Sequence, residues 1–186
     1  GSPAVPDIIS IGVSIWDPVW SVNEHVSSAD EFILILEGEV DLRIGNSGFN
    51  AAKGDFLLIR RGVSHRDEFP PGSDFKPLHI NFTWDELSQV FSEKDNRRFT
   101  ALPTHEKNRV KELAMDVYEE VREARTLNRE MVNARLYCLL IYIKNILTSD
   151  SRNYEKTDTG SNEKIEGARE FIKAHIDSPI TLEMIA

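Results

Sequence analysis

Cysteine is nearly absent from this 186-residue sequence, which contains Cys138 alone. One cysteine excludes an intrachain disulfide, and since Cys138 lies in an apolar helical stretch we expect it to be a buried small side chain. No apolar run approaches the ~20 residues that a membrane span requires. No basic-then-apolar pattern of a secretory signal opens the sequence. These features favour a cytoplasmic protein with no membrane partner.

Positive charge is also in short supply. The formal net charge at pH 7 is −9, and the sequence contains no basic stripe. Because phosphate backbones repel such a surface, we expect this chain by itself to bind DNA poorly. A Gly-rich phosphate loop, a Gly-x-Ser-x-Gly elbow and Cys/His zinc spacing are missing as well. The sequence therefore carries none of the common motifs of nucleotide, serine-hydrolase or zinc chemistry.

The first part of the chain has the pattern of short strands. Between Ile8 and about Phe82, apolar stretches such as Phe56–Ile59 are separated by turn residues such as Gly45–Gly48. Val40, Leu42 and Ile44 alternate with charged residues, which is the period of a half-buried strand. Several short strands at this spacing predict an antiparallel sandwich or barrel.

After Thr83 the apolar period becomes helical. The pattern predicts one helix over Thr104–Ala124 and a second over Asn128–Leu147, and their short connection makes them antiparallel neighbours. The second helix has more apolar surface than one contact requires, so we expect it to form a homodimer. In the alternative, all of it packs on the barrel and the first helix. The surplus apolar face consists of Leu140, Tyr142, Ile143 and Leu147.

The C-terminal part resembles a known DNA-binding region. Residues 149–162 are polar and predict a flexible linker, and 163–186 hold an amphipathic helix, a turn at Asp177-Ser178-Pro179 and a new helix from Thr181. The segment AREFIKAHIDSPITLEMIA resembles the opening of the helix-turn-helix domain of AraC-type transcription regulators. The resemblance implies that DNA is bound only through a C-terminal domain that is largely absent from this sequence.

Two stretches in the β region resemble the paired motifs of the cupin superfamily. The second has Gly54, Arg60, Gly62 and His65 at the family's spacing, with Arg60 where proline is usual. The first runs from His25-Val26-Ser27 through Glu31 to Gly38, and Ser27 stands where the family has a second histidine. The resemblance implies an α+β protein, and we expect four segments: a cupin-like antiparallel β-barrel, a helical dimerisation hairpin, a linker and a truncated helix-turn-helix region, at 3–102, 103–148, 149–162 and 163–186.

In metal-dependent cupins the matching side chains hold one ion, which here would be held by His25, Glu31 and His65. A serine hydroxyl is a poor ligand in place of the missing histidine, although three ligands with an open position can form a catalytic site. One hypothesis is therefore a metal-dependent dioxygenase or isomerase. The preferred one is that these residues line a pocket without metal or other cofactor, as AraC-type sensors commonly do, and that the protein is not an enzyme.

Seven residues are candidates for ligand binding. Trp16 and Trp20 flank Asp17-Pro18-Val19, and indole rings suit flat or sugar-like ligands, although such residues are also common in a core or lid. His79 shares a strand face with Asn81, and Arg60 would lie near the pocket mouth or in an exposed loop. The full set is Trp16, Trp20, His25, Glu31, Arg60, His65 and His79.

The sequence and its resemblance together predict the sensor region of an AraC-type regulator. Its small-molecule effector would be a carbohydrate, although aromatic acids fit the sequence equally well. A metal-dependent cupin enzyme is the competing hypothesis. A third hypothesis is a structural dimerisation module, which would have a barrel that is packed solid.

Overall fold

A computed structural model describes residues 5–14, 23–69, 74–123 and 129–155, with side chains as far as Thr148. Strands come first in these ranges and helices follow, so the predicted α+β class with a mainly β N-terminal part is confirmed. The strands are β1 (Asp7–Val13), β2 (His25–Val26), β3 (Asp30–Glu37), β4 (Glu39–Ile44), β5 (Ser47–Ala52), β6 (Phe56–Ile59), β7 (Ser64–Glu68) and β8 (Lys76–Thr83). The helices are α1 (Leu87–Val90), a short 3-10 helix (Glu93–Asp95), α2 (Asn96–Thr100), α3 (Thr104–Glu123) and α4 (Arg129–Glu155).

The strands form two four-stranded antiparallel sheets that pack face to face. Sheet A has the order β1-β8-β3-β6 and sheet B the order β2-β7-β4-β5, so the chain crosses repeatedly from one sheet to the other. This is the predicted cupin-like arrangement. One apolar cluster fills the space between the sheets, with Ile33, Ile35, Leu57 and Ile59 from sheet A and Val40, Leu42, Ile44, Phe49 and Ala51 from sheet B. We call the surfaces that meet at this cluster the inner faces.

The outer face of sheet A is covered as well. The Phe56 ring contacts Phe99 of α2, with 4.7 Å between ring centroids. Successive residues of β3 and β6 are therefore buried on alternate faces, and Phe56–Ile59 is buried throughout. This explains why these two strands are apolar without alternation.

Helices α3 and α4 run antiparallel, as predicted. The Tyr142 hydroxyl donates to Glu106 near the start of α3, whereas Arg135, earlier on α4, forms an ion pair of 2.9 Å with Glu120, later on α3. Helix α4 is joined to the edge strand β1, where the Ile8 backbone N–H donates to the Asn133 side chain at 3.0 Å. The hairpin is thus attached to sheet A at β1.

Two expectations about α4 are corrected by its helical phase. Leu140 and Ile143, which were expected to face a second chain, are almost completely buried within one chain. Cys138 was expected to be buried but is exposed. It lies seven residues, or about two helical turns, after the exposed Met131, so both residues are on the side of α4 that faces away from the core. The exposed side of α4 instead carries Met131, Ala134 and Cys138, with Ile141 half-buried beside them.

Helix α4 is also longer than predicted. It continues to Glu155, so the prediction placed the start of the linker, at residue 149, too early. Extending a formed helix costs little per residue, and the sequence has neither Gly nor Pro between Arg129 and Gly160 to stop it. The chain divides into two compact units, Gly1–Asn145 and Ile146–Ala186. The rest of the predicted linker and the predicted helix-turn-helix segment at 163–186 lie outside the described residues. None of the described helices has the length and apolar character needed to cross a bilayer.

Candidate ligand-binding site

Strand register places a row of polar side chains on the inner face of sheet A. Glu31 on β3 pairs with Asn81 on β8, and Ile33 of the apolar cluster pairs with His79. Directly paired residues point to the same face of a sheet, so Glu31, His79 and Asn81 share the inner face with Ile33. His79 and Asn81 thus lie on one inward face, which the sequence alone left open.

Sheet B contributes polar side chains opposite this row. His65 on β7 is paired with His25 on β2 and with Ile44 on β4, and Asp67 is paired with Leu42. Ile44 and Leu42 belong to the apolar cluster, so the side chains of His25, His65 and Asp67 are on the inner face of sheet B. One end of the space between the sheets is therefore polar, while the rest is apolar.

Three of the predicted residues meet at this polar end. The rings of His25 and His65 are edge to face, with 4.1 Å between centroids and 60° between planes. Nε2 of His65 lies 3.7 Å from Oε2 of Glu31. The convergence of His25, Glu31 and His65 was predicted from the cupin-like motifs, and the structure brings these three side chains together. With Asp67 they form what we call the inner polar cluster.

Backbone carbonyls orient both imidazoles. Nδ1 of His25 lies 3.3 Å from the carbonyl oxygen of Asn23, and Nδ1 of His65 lies 3.2 Å from that of Val63. Since a carbonyl can only accept, each contact is a hydrogen bond when Nδ1 carries the proton. In the neutral rings Nε2 then has a lone pair that can accept a hydrogen bond from a ligand.

Asp67 is the residue that the sequence analysis missed. It is 4% exposed, and its Oδ1 has no hydrogen-bond partner within the described part of the protein. Asp30 is equally buried, but Arg61 N–H and Trp84 N–H donate to its two oxygens at 2.8 and 3.0 Å. Asp30 is thus a satisfied structural residue, whereas Asp67 retains an acceptor directed at no described donor.

Burial changes the protonation of two inner-face groups. It raises the pKa of Asp67 above its ordinary value, an effect that the neighbouring His65 and His25 oppose and Glu31 reinforces. Burial lowers the pKa of His79 from 6.5 to about 4. His79 is therefore a neutral imidazole at physiological pH.

Arg60 does not join the cluster. The Arg60 guanidinium is held by the Glu93 carboxylate, with Nη2 to Oε2 at 2.7 Å, and this pairing raises the pKa of Arg60. Its predicted place at a pocket mouth receives no support, because the group already has a structural partner. Trp16 and Trp20 lie outside the described residues.

The donor set does not fit the metal site of metal-dependent cupins. The Ser27 hydroxyl is at the position of the missing histidine. It accepts a hydrogen bond from the Ala29 N–H at 3.2 Å and so stabilises the local turn. Among the described residues, no three His, Cys, Asp or Glu side chains are placed to hold a metal ion. The inner polar cluster is therefore analysed as a site for an organic ligand.

The glycines of the two motifs are explained by backbone geometry. Gly38 has φ of +76°, and a Cβ built on it would lie 2.9 Å from the Phe75 backbone. Gly62 has φ of +77°, and its N–H donates to the Ser27 carbonyl at 2.9 Å, which ties the loop before β7 to the loop before β3. Both glycines hold the strands that carry Glu31 and His65, and the motif spacing is thus a requirement of the fold.

Space remains beside the cluster on the inner face. Gly12 on β1 is paired with His79, and a Cβ built on Gly12 would meet no atom of the described residues within 4 Å. Its neighbour two residues earlier, Ser10, accepts a hydrogen bond from the Asn81 amide at 2.9 Å. The glycine thus leaves room at the polar end of the barrel.

Comparison with protein families identifies the domain. The family described as AraC-like ligand binding domain matches residues 10–140, which is more than half of the chain. The chain belongs to this family. An AraC-like ligand binding domain supports a role in sensing a small molecule, in agreement with polar groups placed between the sheets. The match includes β3, β7 and the motif glycines, and it extends through α3 into α4.

Solved structures show more distant similarity, and no curated protein matches the chain at a significant level. A cupin with a double-stranded β-helix fold from Methanocaldococcus jannaschii is 16% identical, with a TM-score of 0.34, over 40% of this chain and 69% of that one. A conserved protein of unknown function from Streptococcus pyogenes is 20% identical, with a TM-score of 0.31, over 34% of this chain and 54% of that one. The iron(II) form of the protein HppE is 20% identical, with a TM-score of 0.32, over 39% of this chain and 40% of that one. The match thus spans about half of the Streptococcus protein.

Proposed function

We propose that this AraC-like domain is the sensor region of a transcription regulator, which binds a small effector at the inner polar cluster and thereby controls DNA binding by a C-terminal helix-turn-helix domain. The observation that carries the proposal is the buried Asp67 carboxyl beside His25, Glu31 and His65. Burying polar groups without partners costs free energy, and a ligand that supplies those partners recovers it. The apolar cluster below provides the rigid wall of the site.

The proposal includes the expected ligand classes. Carbohydrate hydroxyls can donate to the carboxylates of Glu31 and Asp67 and to Nε2 of the histidines. An aromatic acid, which the sequence favoured equally, would bring a third carboxylate to a cluster that already contains two. The inner polar cluster therefore favours the carbohydrate over the acid.

The route from ligand to helices runs through β1 in this proposal. Gly12 and Ser10 of β1 adjoin the inner face at His79 and Asn81, and the start of the same strand is bound to α4. The Arg129 guanidinium donates to both Asp7 oxygens, at 2.9 and 2.5 Å. An effector that favours one position of β1 would shift the population of α4 arrangements.

Dimerisation through α4 is also part of the proposal, on a different surface from the one first expected. Met131, Ala134, Cys138 and Ile141 follow one another at spacings of three and four residues along the exposed side of α4. This is the spacing of a seam between two helices. DNA contact is assigned to the helix-turn-helix region, since the chain has a net charge of −9.

The proposal also holds that the protein is not an enzyme, and the cytoplasm is its proposed location. A metal-dependent cupin enzyme gains no support from the donor set described above. A module packed solid is disfavoured by the space beside Gly12.

A thermal-shift screen with one filled-pocket variant tests the proposal. The library contains sugars, aromatic acids and small amines, and a ligand that binds only the native state raises Tm. Gly12→Val, which fits a strand and occupies the open space, should abolish the shift without lowering the Tm of the free protein. Gly48→Val is the matched control, because Gly48 lies on the outer face of β5 with equally open space. No shift with any compound, or equal shifts in the Gly12→Val variant, would refute the proposal.

A further inference from the structure

The ionisable groups that face the polar end of the barrel are two carboxyls and three imidazoles. Glu31 comes from β3 and Asp67 from β7, and the other titratable groups on these inner faces are the imidazoles of His25, His65 and His79. In the described structure no lysine or arginine shares these faces. Among the described residues of these faces, the titratable neighbours of the two carboxyls are therefore imidazoles, and His79 is neutral at physiological pH.

The cationic side chains near the barrel are engaged elsewhere. Arg60 binds Glu93, Arg61 binds Asp85 at 2.5 Å, and Lys107 binds Asp55 at 2.6 Å. Arg43 and Arg66 are paired with each other in register on the outer face of sheet B, beside Glu68. The sequence before Arg43 contains neither lysine nor arginine, and neither occurs in residues 70–73. Thus no lysine or arginine from these segments can neutralise the cluster.

The cluster also presents acceptors rather than donors. When the rings are neutral and Nδ1 of His25 and of His65 carries the proton that it donates to a backbone carbonyl, Nε2 of each ring is an acceptor. Ionised carboxylates are acceptors alone, and Oδ1 of Asp67 has no donor among the described residues. Four groups from three strands thus offer acceptors toward one space.

We propose that the inner polar cluster binds a ligand with a cationic nitrogen, an ammonium or amidinium group, which Asp67 and Glu31 hold as its counter-ions; this inference rests on the proposed function. An ammonium group is a donor of three hydrogen bonds with no acceptor, so it complements this set in both hydrogen bonding and charge. A neutral hydroxyl ligand satisfies the acceptors but provides no positive charge to stabilise the ionised form of the Asp67 carboxyl, whose pKa is raised by burial. A carboxylate ligand fails in both respects, and an amino sugar has the required group while a plain sugar does not.

Two probe sets test this inference, and within each set the members share a scaffold and carry a cationic, a neutral or an anionic substituent. Dissociation constants are measured by calorimetry for benzylamine, benzyl alcohol and benzoate, and for glucosamine, glucose and glucuronate. In at least one set we expect the amine to bind about tenfold or more tightly than its neutral analogue, because hydrogen bonds between charged partners are about twice as strong as neutral ones. The carboxylate of that set should not bind measurably.

Two variants and a control assign the selectivity to the cluster. Asp67→Asn should weaken amine binding about tenfold or more and remove the preference over the alcohol, with little change in alcohol binding. Glu31→Gln provides the same test should Asp67→Asn fail to fold, as judged from circular dichroism. Asp41→Asn should change nothing, since Asp41 is exposed on the outer face of β4, where Asn50 donates to it at 2.9 Å.

Other outcomes separate this inference from the proposed function. If a neutral or anionic probe binds best and Gly12→Val abolishes its binding, the ligand class is wrong but the sensor function stands. If no probe of the six binds, the amine inference is overturned, and a library compound whose binding Gly12→Val abolishes would still support the sensor. An amine preference that survives in both Asp67→Asn and Glu31→Gln would also overturn the inference.

Discussion

Burial shifts the pKa values of an acid and a base on the two facing inner faces in opposite directions. It raises the pKa of Asp67 and lowers that of His79, because in both cases the neutral form is favoured where water is excluded. The two side chains come from opposite sheets and border one space. An apolar wall with one set of polar groups therefore controls protonation as well as hydrogen bonding in the candidate site.

The lowered pKa of His79 predicts a pH dependence of stability. In the unfolded chain His79 titrates near 6.5, while in the folded protein it titrates at about 4. Below pH 6.5 protons therefore bind the unfolded state preferentially. The contribution of His79 to the free energy of unfolding is complete above pH 6.5 and is lost as the pH falls toward 4, by up to about 3 kcal/mol. Urea denaturation of the wild type and of His79→Gln between pH 4.5 and 7.5 measures it.

The two unfolding curves should converge toward low pH. The wild type should lose about 2 to 3 kcal/mol more than His79→Gln between pH 7 and pH 4.5. His105→Gln is the control, since the His105 side chain is 78% exposed at the start of α3. Parallel pH profiles for wild type and His79→Gln would show that the folded protein binds a proton at His79 as readily as the unfolded chain.

The sequence predicts the members of the candidate site unevenly. His25, Glu31 and His65 were found because motif spacing fixes their strands, and Gly38 and Gly62 hold the adjoining turns. Asp67 has no motif of its own. The one available signal was its place two residues after His65 on a strand, which puts both side chains on one face. The structural partner of Arg60, Glu93, is 33 residues away in sequence, and no local pattern indicates such a pair.

At the level of elements, strongly patterned strands were predictable and weakly patterned ones were not. β3, β4 and β6 were indicated by their apolar residues, whereas β5 (Ser47–Ala52) contains Gly, Asn and Ala, which have little preference for strands. β5 forms because the turn Gly45-Asn46 pairs Ser47 with Ile44, and Phe49 and Ala51 then reach the core. The turn had been placed at Gly45–Gly48, so part of β5 was assigned to it. Tertiary burial outweighs local propensity there.

A buried asparagine joins the edge of sheet A to α2. β6 is an edge strand of this sheet, so the Leu58 N–H and C=O, which point away from β3, have no neighbouring strand to pair with. The Asn96 side chain replaces that strand: its oxygen accepts from Leu58 N–H at 2.9 Å and its nitrogen donates to Leu58 O at 2.8 Å. Asn96 is fully buried, so water cannot take over either bond.

Replacing Asn96 should therefore destabilise the domain strongly. Asn96→Ala leaves two buried backbone groups without partners, and at about 1 to 3 kcal/mol for each we expect a loss of about 2 to 6 kcal/mol in the free energy of unfolding. Urea denaturation at pH 7 measures the loss. Asn50→Ala removes an exposed asparagine on the outer face of β5 and should lower the free energy of unfolding by less than about 1 kcal/mol. Equal small effects of both substitutions would contradict the proposed edge-capping role.

For the molecule as a whole, sheet A separates the candidate site from the helices. Its inner face carries Glu31 and His79, and its outer face is covered by the helical elements through contacts such as Phe56 with Phe99. The strand β1 connects the candidate site with the helices, because Gly12 is paired with His79 and the Ile8 N–H donates to Asn133 of α4. A ligand on one side can therefore influence α4 without contacting it, provided that the two states differ in the position of β1.

The exposed side of α4 yields a prediction about assembly. Because Leu140 and Ile143 are buried within one chain, the apolar surface that the described part of α4 leaves for a second chain is the seam of Met131, Ala134, Cys138 and Ile141. Ala134 and Cys138 are small, so two helices can approach closely there. Ala134→Glu would place a charge in that contact and should weaken dimerisation about tenfold or more, as measured by sedimentation velocity up to about 100 µM.

A charge control and a cross-link make the test specific. Asn108→Glu adds the same charge at an exposed position of α3 and should leave the dimer unchanged. In an antiparallel pair with its twofold axis near the middle of the seam, the two Cys138 thiols lie close together, so a short bismaleimide should link two wild-type chains and fail with Ala134→Glu. A monomeric wild type at about 100 µM, or an Ala134→Glu variant that dimerises as tightly as the wild type, would exclude this seam as the interface.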